Sequence, residues 1–230
     1  MDGTIVVYIF DSLNISSWAR LHSFSESKEY FDLERRIFLY LSMKILVSMK
    51  RVIVLSGSGI SAESGLSTFR DAGGLWEGHK VEDVASPQGF KKDPERVLDF
   101  YNKMRHRVLE ATPNPAHMAL VQLESSFDVT VITQNVDDLH ERAGSRHVIH
   151  LHGEIRKARS VGSVNCVVPY EQDIKLGDIA PDGTQLRPHV VWFGEMVPRM
   201  YDAAEVVAQA DIVIIVGTSM AVYPANSLVE

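Results

Sequence analysis

One cysteine stands in 230 residues, Cys166, so no disulfide can close within the chain; this fits a reducing compartment, with the cytoplasm as the expected location. No apolar run is long enough to cross a bilayer either. The longest, Ile37 to Val47, is short and interrupted by Lys44. An excess of positive charge is also missing. A formal net charge of −7 argues against a non-specific binder of nucleic acid or anionic membrane, and suits protein substrates with basic, lysine-bearing tails. Met1-Asp2 opens acidic and Arg35-Arg36 come late, unlike a secretory leader, while Asp11, Glu26, Glu29, Asp32 and Glu34 are out of place in a transit peptide. There is no internal repeat and no low-complexity tract. The length suits one sizeable domain with a smaller insertion, burying roughly 70% of the unfolded surface.

What is present is concentrated in Arg51 to Arg70, RVIVLSGSGISAESGLSTFR. Arg51 to Leu55 has the continuous apolar character of a buried parallel strand, and it empties into a glycine turn and a small-residue helix start. Gly57 and Gly59 let backbone turn tightly against a pyrophosphate at a helix N-terminus. The third glycine, Gly65, comes too late for G-x-G-x-x-G, and no strand with a terminal acid follows where a dehydrogenase holds its ribose. A polar and aromatic loop, Ser64 to Trp76, follows instead.

Further apolar runs at Val129–Thr133, Val148–Leu151 and Asp211–Gly217 are expected strands, each ending in a polar loop. The apolar stripe of Glu95 to Leu109, with Val97, Leu98, Tyr101, Met104 and Val108, predicts a helix; so does His117 to Leu123 after the breakers Pro113 and Pro115. The fold class expected is α/β, a doubly wound parallel sheet with its ligand beyond the strand C-termini. His150 and His152 share a face in strand alternation, so period alone does not choose between them as a titrating group. Asn135 and Asp137 suit a capped strand-to-helix turn as well as a ligand site.

Five segments recur in an order and spacing that resemble the sirtuin family of NAD-dependent protein deacylases, bacterial type: GSGISAESGLSTFR, TQNVDDLHERAG, HLHGE, VVWFGEMVP and GTSMAVYPAN. The resemblance covers Arg51 to the C-terminus. It implies that NAD is bound by Gly57, Ser58, Gly59, Ser61, Phe69, Arg70, Gln134, Asn135, Asp137, Gly217, Thr218 and Ser219, with Phe69 shielding the reactive sugar. It selects His152 as the general base. The partners implied are acylated lysine side chains of protein substrates, with neither nucleic acid nor membrane. Substrate is implied to add as a strand between the loops of Val191, Phe193, Gly194 and Glu195 and of Val222, Tyr223 and Pro224. The products implied are nicotinamide, free lysine and O-acyl-ADP-ribose.

On this reading 1–48 is an extension of uncertain status and Met49 a plausible alternative start. Residues 49–154 and 188–230 make the NAD-binding domain, and 155–187 the small domain. Two departures stand out. The small domain offers only Cys166 where the family carries four zinc-binding cysteines, so no metal is expected; Glu171, Asp173, Asp178 and Asp182 read as a solvated face. The chain also stops at Glu230, where the family continues, so an open sheet edge beside Asp211 to Gly217 and an incomplete adenosine site are expected. Acyl preference is a finer question. Family members that remove succinyl groups carry Y-x-x-R; here Tyr101 is followed at three by Met104 and at four by Arg105, both within roughly 60° of its direction on a helix. Deacetylation is the expected activity, with desuccinylation through Tyr101 and Arg105 kept open. Protein mono-ADP-ribosylation, or NAD binding without turnover, are the alternatives.

Overall fold

The computed structural model of the chain describes residues 5–8, 49–68, 75–76 and 78–229. Five short, mostly β-branched runs form one all-parallel sheet: β1 (Ile5–Tyr8), β2 (Arg51–Ser56), β5 (Asp128–Thr133), β6 (Val148–His150) and β10 (Ile212–Val216). Their order is β1-β10-β2-β5-β6. The remaining strands are a two-residue pair, β3 (Leu75–Trp76) with β4 (His79–Lys80), and a separate antiparallel sheet of β7 (Gly153–Ser160), β8 (Val167–Pro169) and β9 (Leu186–Val190).

Alternation along β2 shows why its sequence is apolar throughout. Ile53 and Leu55 enter one buried layer, with Ala203 of helix α6 (Met200–Val207) and Leu228. Val52 and Val54 enter the opposite layer, with Leu120 of α4 (Pro115–Leu123). Both faces are covered, as a doubly wound sheet requires. From β2 the sheet grows to one side through β5 and β6, and the chain then returns to lay β10 on the other side of β2. The topological switch point therefore lies between β2 and β10, where a parallel sheet opens a crevice beyond its strand ends.

The open edge expected beside β10 is not what the structure shows. Ile5–Tyr8 pairs with that edge in parallel register, from Ile5 opposite Ile212 to Tyr8 opposite Ile215. Ile37 to Val47 lies outside the described residues. After β2 the expected helix start is a 3-10 helix, Ser58–Ser64, ended by Gly65 at φ 83. The two longer helices match their apolar stripes. A proline in the first turn opens α3 (Pro94–Glu110), where the Asp93 carboxylate accepts from the Arg96 N–H, and another opens α4, where Asn114 and His117 form a capping box. Shorter helices are α1 (Val81–Val84), α2 (Pro87–Lys92) and α5 (Leu139–Ala143).

The antiparallel module packs Ala158, Ile174, Ala180 and Leu186 against Leu98 of α3, with Cys166 half-buried alongside. Its acids go to separate partners: Glu171 to Arg156, Asp173 to His106 at 2.7 Å, Asp178 to the Tyr170 hydroxyl at 3.0 Å, and Asp182 to the Ser160 hydroxyl at 2.5 Å. Among the described residues no three His, Cys, Asp or Glu side chains are grouped so as to hold a metal ion.

Candidate active site at the sheet's switch point

Two loops meet where β2 and β10 end. The Gly57 N–H donates to the Val216 carbonyl at 3.1 Å and the Gly59 N–H to the Gly217 carbonyl at 2.8 Å. The approach leaves no room for side chains. A Cβ on Gly57 would stand 2.6 Å from Cβ of Thr218, and one on Gly217, whose φ is 64, would stand 2.2 Å from the Ile60 nitrogen. These glycines are required by backbone-on-backbone packing as well as by the tight turn read from the sequence. Above the contact opens a cleft of about 450 Å³, with Gly57, Ser58, Gly59 and Ser61 on one side and Gly217, Thr218 and Ser219 on the other.

The loop after β5 ties the two sides together. Gln134 donates from its backbone to the Ser56 carbonyl at 2.9 Å and from its side chain to the Thr218 hydroxyl at 3.0 Å. The Asn135 amide donates to the Gly57 carbonyl at 3.2 Å and the Ser61 hydroxyl at 3.1 Å. Ser61 in turn donates to the Asp137 carboxylate at 3.0 Å, whose other oxygen accepts the Leu139 N–H at 3.1 Å. Asp137 is thus both a turn cap and part of the cleft wall. Its burial raises the carboxyl pKa, against those two hydrogen bonds, which lower it.

The structure separates the two histidines that alternation left equivalent. β6 ends at His150, so strand parity does not extend to His152. His150 is buried, with one nitrogen 3.0 Å from the Asn135 carbonyl and the other 2.7 Å from Glu141. His152 lines the cleft, its Nδ1 held at 2.9 Å by the Gln134 carbonyl. A carbonyl only accepts, so Nδ1 carries the proton and Nε2 keeps its lone pair. Burial lowers the His152 pKa, partly offset by that hydrogen bond, and the ring is neutral at pH 7.

The far wall joins the module to the sheet. The Val191 N–H donates to the His152 carbonyl at 2.9 Å, placing Val191, Phe193, Gly194 and Glu195 along one rim; Val222, Tyr223 and Pro224 form the other. Phe193 is 48% and Tyr223 80% exposed, so the rim presents rings to solvent. Glu195 is pinned from below by Arg159 at 2.8 Å, Arg187 at 2.6 Å and the Trp192 N–H at 2.9 Å.

Tyr101 lines the cleft fully buried, its hydroxyl accepting from Trp192 Nε1 at 3.0 Å, and burial raises its pKa despite that bond. Arg105 is the one described candidate that does not reach the cleft. Its guanidinium donates to the Ile155 carbonyl at 2.9 Å, Asn102 at 2.8 Å and the Gln172 carbonyl at 3.1 Å, which locks α3 to the module. The part expected of Arg105 as a reader of acidic acyl groups is corrected accordingly: Met104 and Val108 face the cleft from this stretch of α3, with Arg107 exposed at its rim. Phe69 and Arg70 lie outside the described residues. Trp192, Leu66 and Val136 also line the cleft and were not singled out, although Trp192 directly precedes the FGE segment.

Comparison with known proteins agrees with this geometry. Residues 57–224 match the model of the Sir2 family. A Helicobacter pylori protein described as an NAD-dependent protein deacylase is 58% identical over 180 residues, covering 78% of this chain and 77% of its own length. A Bacteroides thetaiotaomicron protein of the same description is 54% identical over 188 residues, covering 79% and 80%. Among solved structures, a Sir2 homologue–NAD complex is similar with a TM-score of 0.70 at 42% identity, covering 90% of this chain and 79% of that one. A mutant Sir2 homologue with ADP ribose gives a TM-score of 0.72 at 45% identity, covering 80% and 76%. The matched span contains the loops that meet at the switch point, and this chain belongs to the Sir2 family.

Proposed function

We propose that the chain is an NAD-dependent protein lysine deacylase, acting in the cytoplasm on neutral acyl groups, acetyl above all. One observation carries the reading: His152, neutral and with Nε2 unprotonated, stands in the same cleft as the paired glycine loops and the Asn135–Asp137 turn. The site fits the dinucleotide. Side-chain-free backbone at Gly57 and Gly59 and the hydroxyls of Ser61, Thr218 and Ser219 suit phosphates and ribose, while Asn135 and Asp137 suit a carboxamide and its sugar. Names of the relatives point the same way.

NAD would be held by the loops of Gly57–Ser61 and Gly217–Ser219 and would supply a glycosidic carbon with nicotinamide as its leaving group, open to the amide oxygen of an acyl-lysine. The chain's residues do the rest. Asn135 and Asp137 would orient the leaving end, and His152 Nε2, with its lone pair in the cleft, would accept the proton of a ribose hydroxyl. The exposed rims around Phe193 and Tyr223 clasp a peptide by its backbone, which favours tolerance of sequence. Met104, Val108 and Tyr101 make an apolar wall that suits an uncharged acyl chain. Among the described residues no helix is long and apolar enough to cross a membrane.

The test is nicotinamide release from NAD with and without an acetyl-lysine peptide. Release that depends on the peptide and yields free lysine supports the proposal. Release indifferent to the peptide, or none, overturns it, and ADP-ribose transferred to protein identifies a mono-ADP-ribosyltransferase instead.

A further inference from the structure

His150 plays no part in the chemistry above, yet it is nearly as buried as the core around it, at 9% exposure. Both ring nitrogens are engaged: Nδ1 lies 3.0 Å from the Asn135 carbonyl and Nε2 2.7 Å from Glu141 of α5. A carbonyl accepts only, and so does a carboxylate. Both ring nitrogens therefore carry protons, and the contact is an imidazolium–carboxylate pair. On its other face Asn135 is the residue whose amide holds Gly57 and Ser61, and Ser61 holds Asp137. Two consecutive carbonyls, Gln134 and Asn135, are thus gripped by two histidines spaced by one residue. One histidine faces the cleft and the other stands behind it.

We propose that charged His150, held by Glu141, is a positioning residue that fixes the Asn135–Asp137 turn at the nicotinamide end of the cleft. The inference rests on the NAD reading for its catalytic consequence. Deprotonation inverts one of the two contacts, because whichever nitrogen loses its proton then faces an oxygen with a lone pair. Burial pulls the His150 pKa down, but the Glu141 hydrogen bond and charge outweigh it, so the ring titrates above its ordinary value near 6.5. Burial likewise raises Glu141, and His150 more than reverses this. The other groups facing the ring are Asp137 in the turn, His140 on α5 and Glu154 on β7. Activity should accordingly have an alkaline limb set by His150, in addition to the acid limb that protonation of His152 produces.

Two readouts test this on the whole protein. The first is the pH profile of kcat and KM for NAD in the wild type, His150→Gln and Glu141→Gln. The expected result is a loss of about ten- to a hundredfold in kcat/KM for NAD in His150→Gln with the alkaline limb gone, and a limb moved to lower pH in Glu141→Gln. Glu141→Asp, which keeps the carboxylate, should return the alkaline limb most of the way to its wild-type position. The second readout is an NMR titration, which needs no turnover: the His150 ring and the Asn135 amide should share one midpoint above pH 6.5, lowered in Glu141→Gln. An alkaline limb unchanged in His150→Gln, or Asn135 resonances flat across the His150 titration, overturns the proposal. A shared titration in a protein that releases no nicotinamide overturns the NAD reading and leaves the positioning pair standing.

Discussion

The parallel sheet and the antiparallel module solve the same problem with different materials. In the sheet, β2, β5 and β10 are sealed on both faces by aliphatic side chains, and the polar groups of the cleft gather at and past the strand ends. The module has a thin apolar centre, with two alanines among the four buried residues it packs against Leu98. Its order comes instead from ions and hydrogen bonds: Arg159 and Arg187 on Glu195, Ser160 on Asp182 and Thr184, and Arg105 reaching across from α3. A sheet held by apolar contact can spend its polar residues on chemistry, whereas the module's charges are committed to holding shape. Function and stability should therefore separate by region when residues are changed.

The sharpest separation is His152→Ala. Deacylation should fall by at least about a hundredfold while the thermal midpoint barely moves, since the ring makes one side-chain hydrogen bond and lies outside the apolar layers. Peptide turnover measured beside calorimetry decides it; an Ala variant that keeps most of its turnover removes His152 from the base's role.

The opposite pattern is expected at Glu195→Ala. Two buried arginines lose their partner, a change that costs about 3 to 5 kcal/mol. The loss should be local: hydrogen exchange should accelerate in 153–190 before it does in β2 and β5. Burial raises the Glu195 pKa and the arginines more than reverse this, so its stabilisation is present above the ordinary carboxylate pKa and lost on acidification below it. Equal acceleration in both sheets would show that the regions do not differ in the way described.

Arg105→Met and Met104→Arg ask the same question within one turn of helix. The first should cost about 3 kcal/mol by stranding the Ile155 and Gln172 carbonyls, with acetyl over succinyl preference unchanged. The second should leave stability nearly as it was and raise succinyl-lysine turnover, because it puts a cation on the cleft wall. A preference altered by the first variant and not the second would return Arg105 to the acyl site.

A smaller effect is expected inside the parallel-sheet region, where His117 of α4 and His140 of α5 pack edge to face at 4.9 Å. Burial pushes their pKa values down to about 4 and about 3, so the unfolded chain binds more protons below pH 6.5. The neutral rings' stabilisation is complete above that pH and is lost as the pH falls toward those values. Thermal midpoints at pH 5 should lie below those at pH 7.5, and His117→Phe should flatten the difference.

Much of this is legible in the sequence because buried parallel strands announce themselves as unbroken apolar runs and the loops that line the cleft as polar segments directly after them. The glycine loop, the QNVD turn, His152 and both rim loops all meet in the cleft. Other features carried no local signal. Ile5–Tyr8 is four residues long, too short for alternation to declare itself, and only pairing with β10 reveals it. Met104 and Arg105 lie to either side of Tyr101 on the helical wheel; which of them faces the cleft is set by where α3 meets the module, a tertiary fact. The His150–Glu141 pair joins a strand to a helix that precedes it, and spacing did not suggest it.

The glycine-on-glycine contact has a consequence in time. Arg51 and Asp211, hydrogen-bonded neighbours at the start of β2 and just before β10, lie 160 residues apart. At about 5 to 20 residues per second, the ribosome needs roughly 8 to 30 s to cover that interval. Until β10 emerges, the turn at Gly57 and Gly59 lacks the Gly217 backbone it closes against. The crevice between the two loops is completed only after nearly all of the matched domain has been synthesised, so a dinucleotide that spans both loops would meet the finished fold.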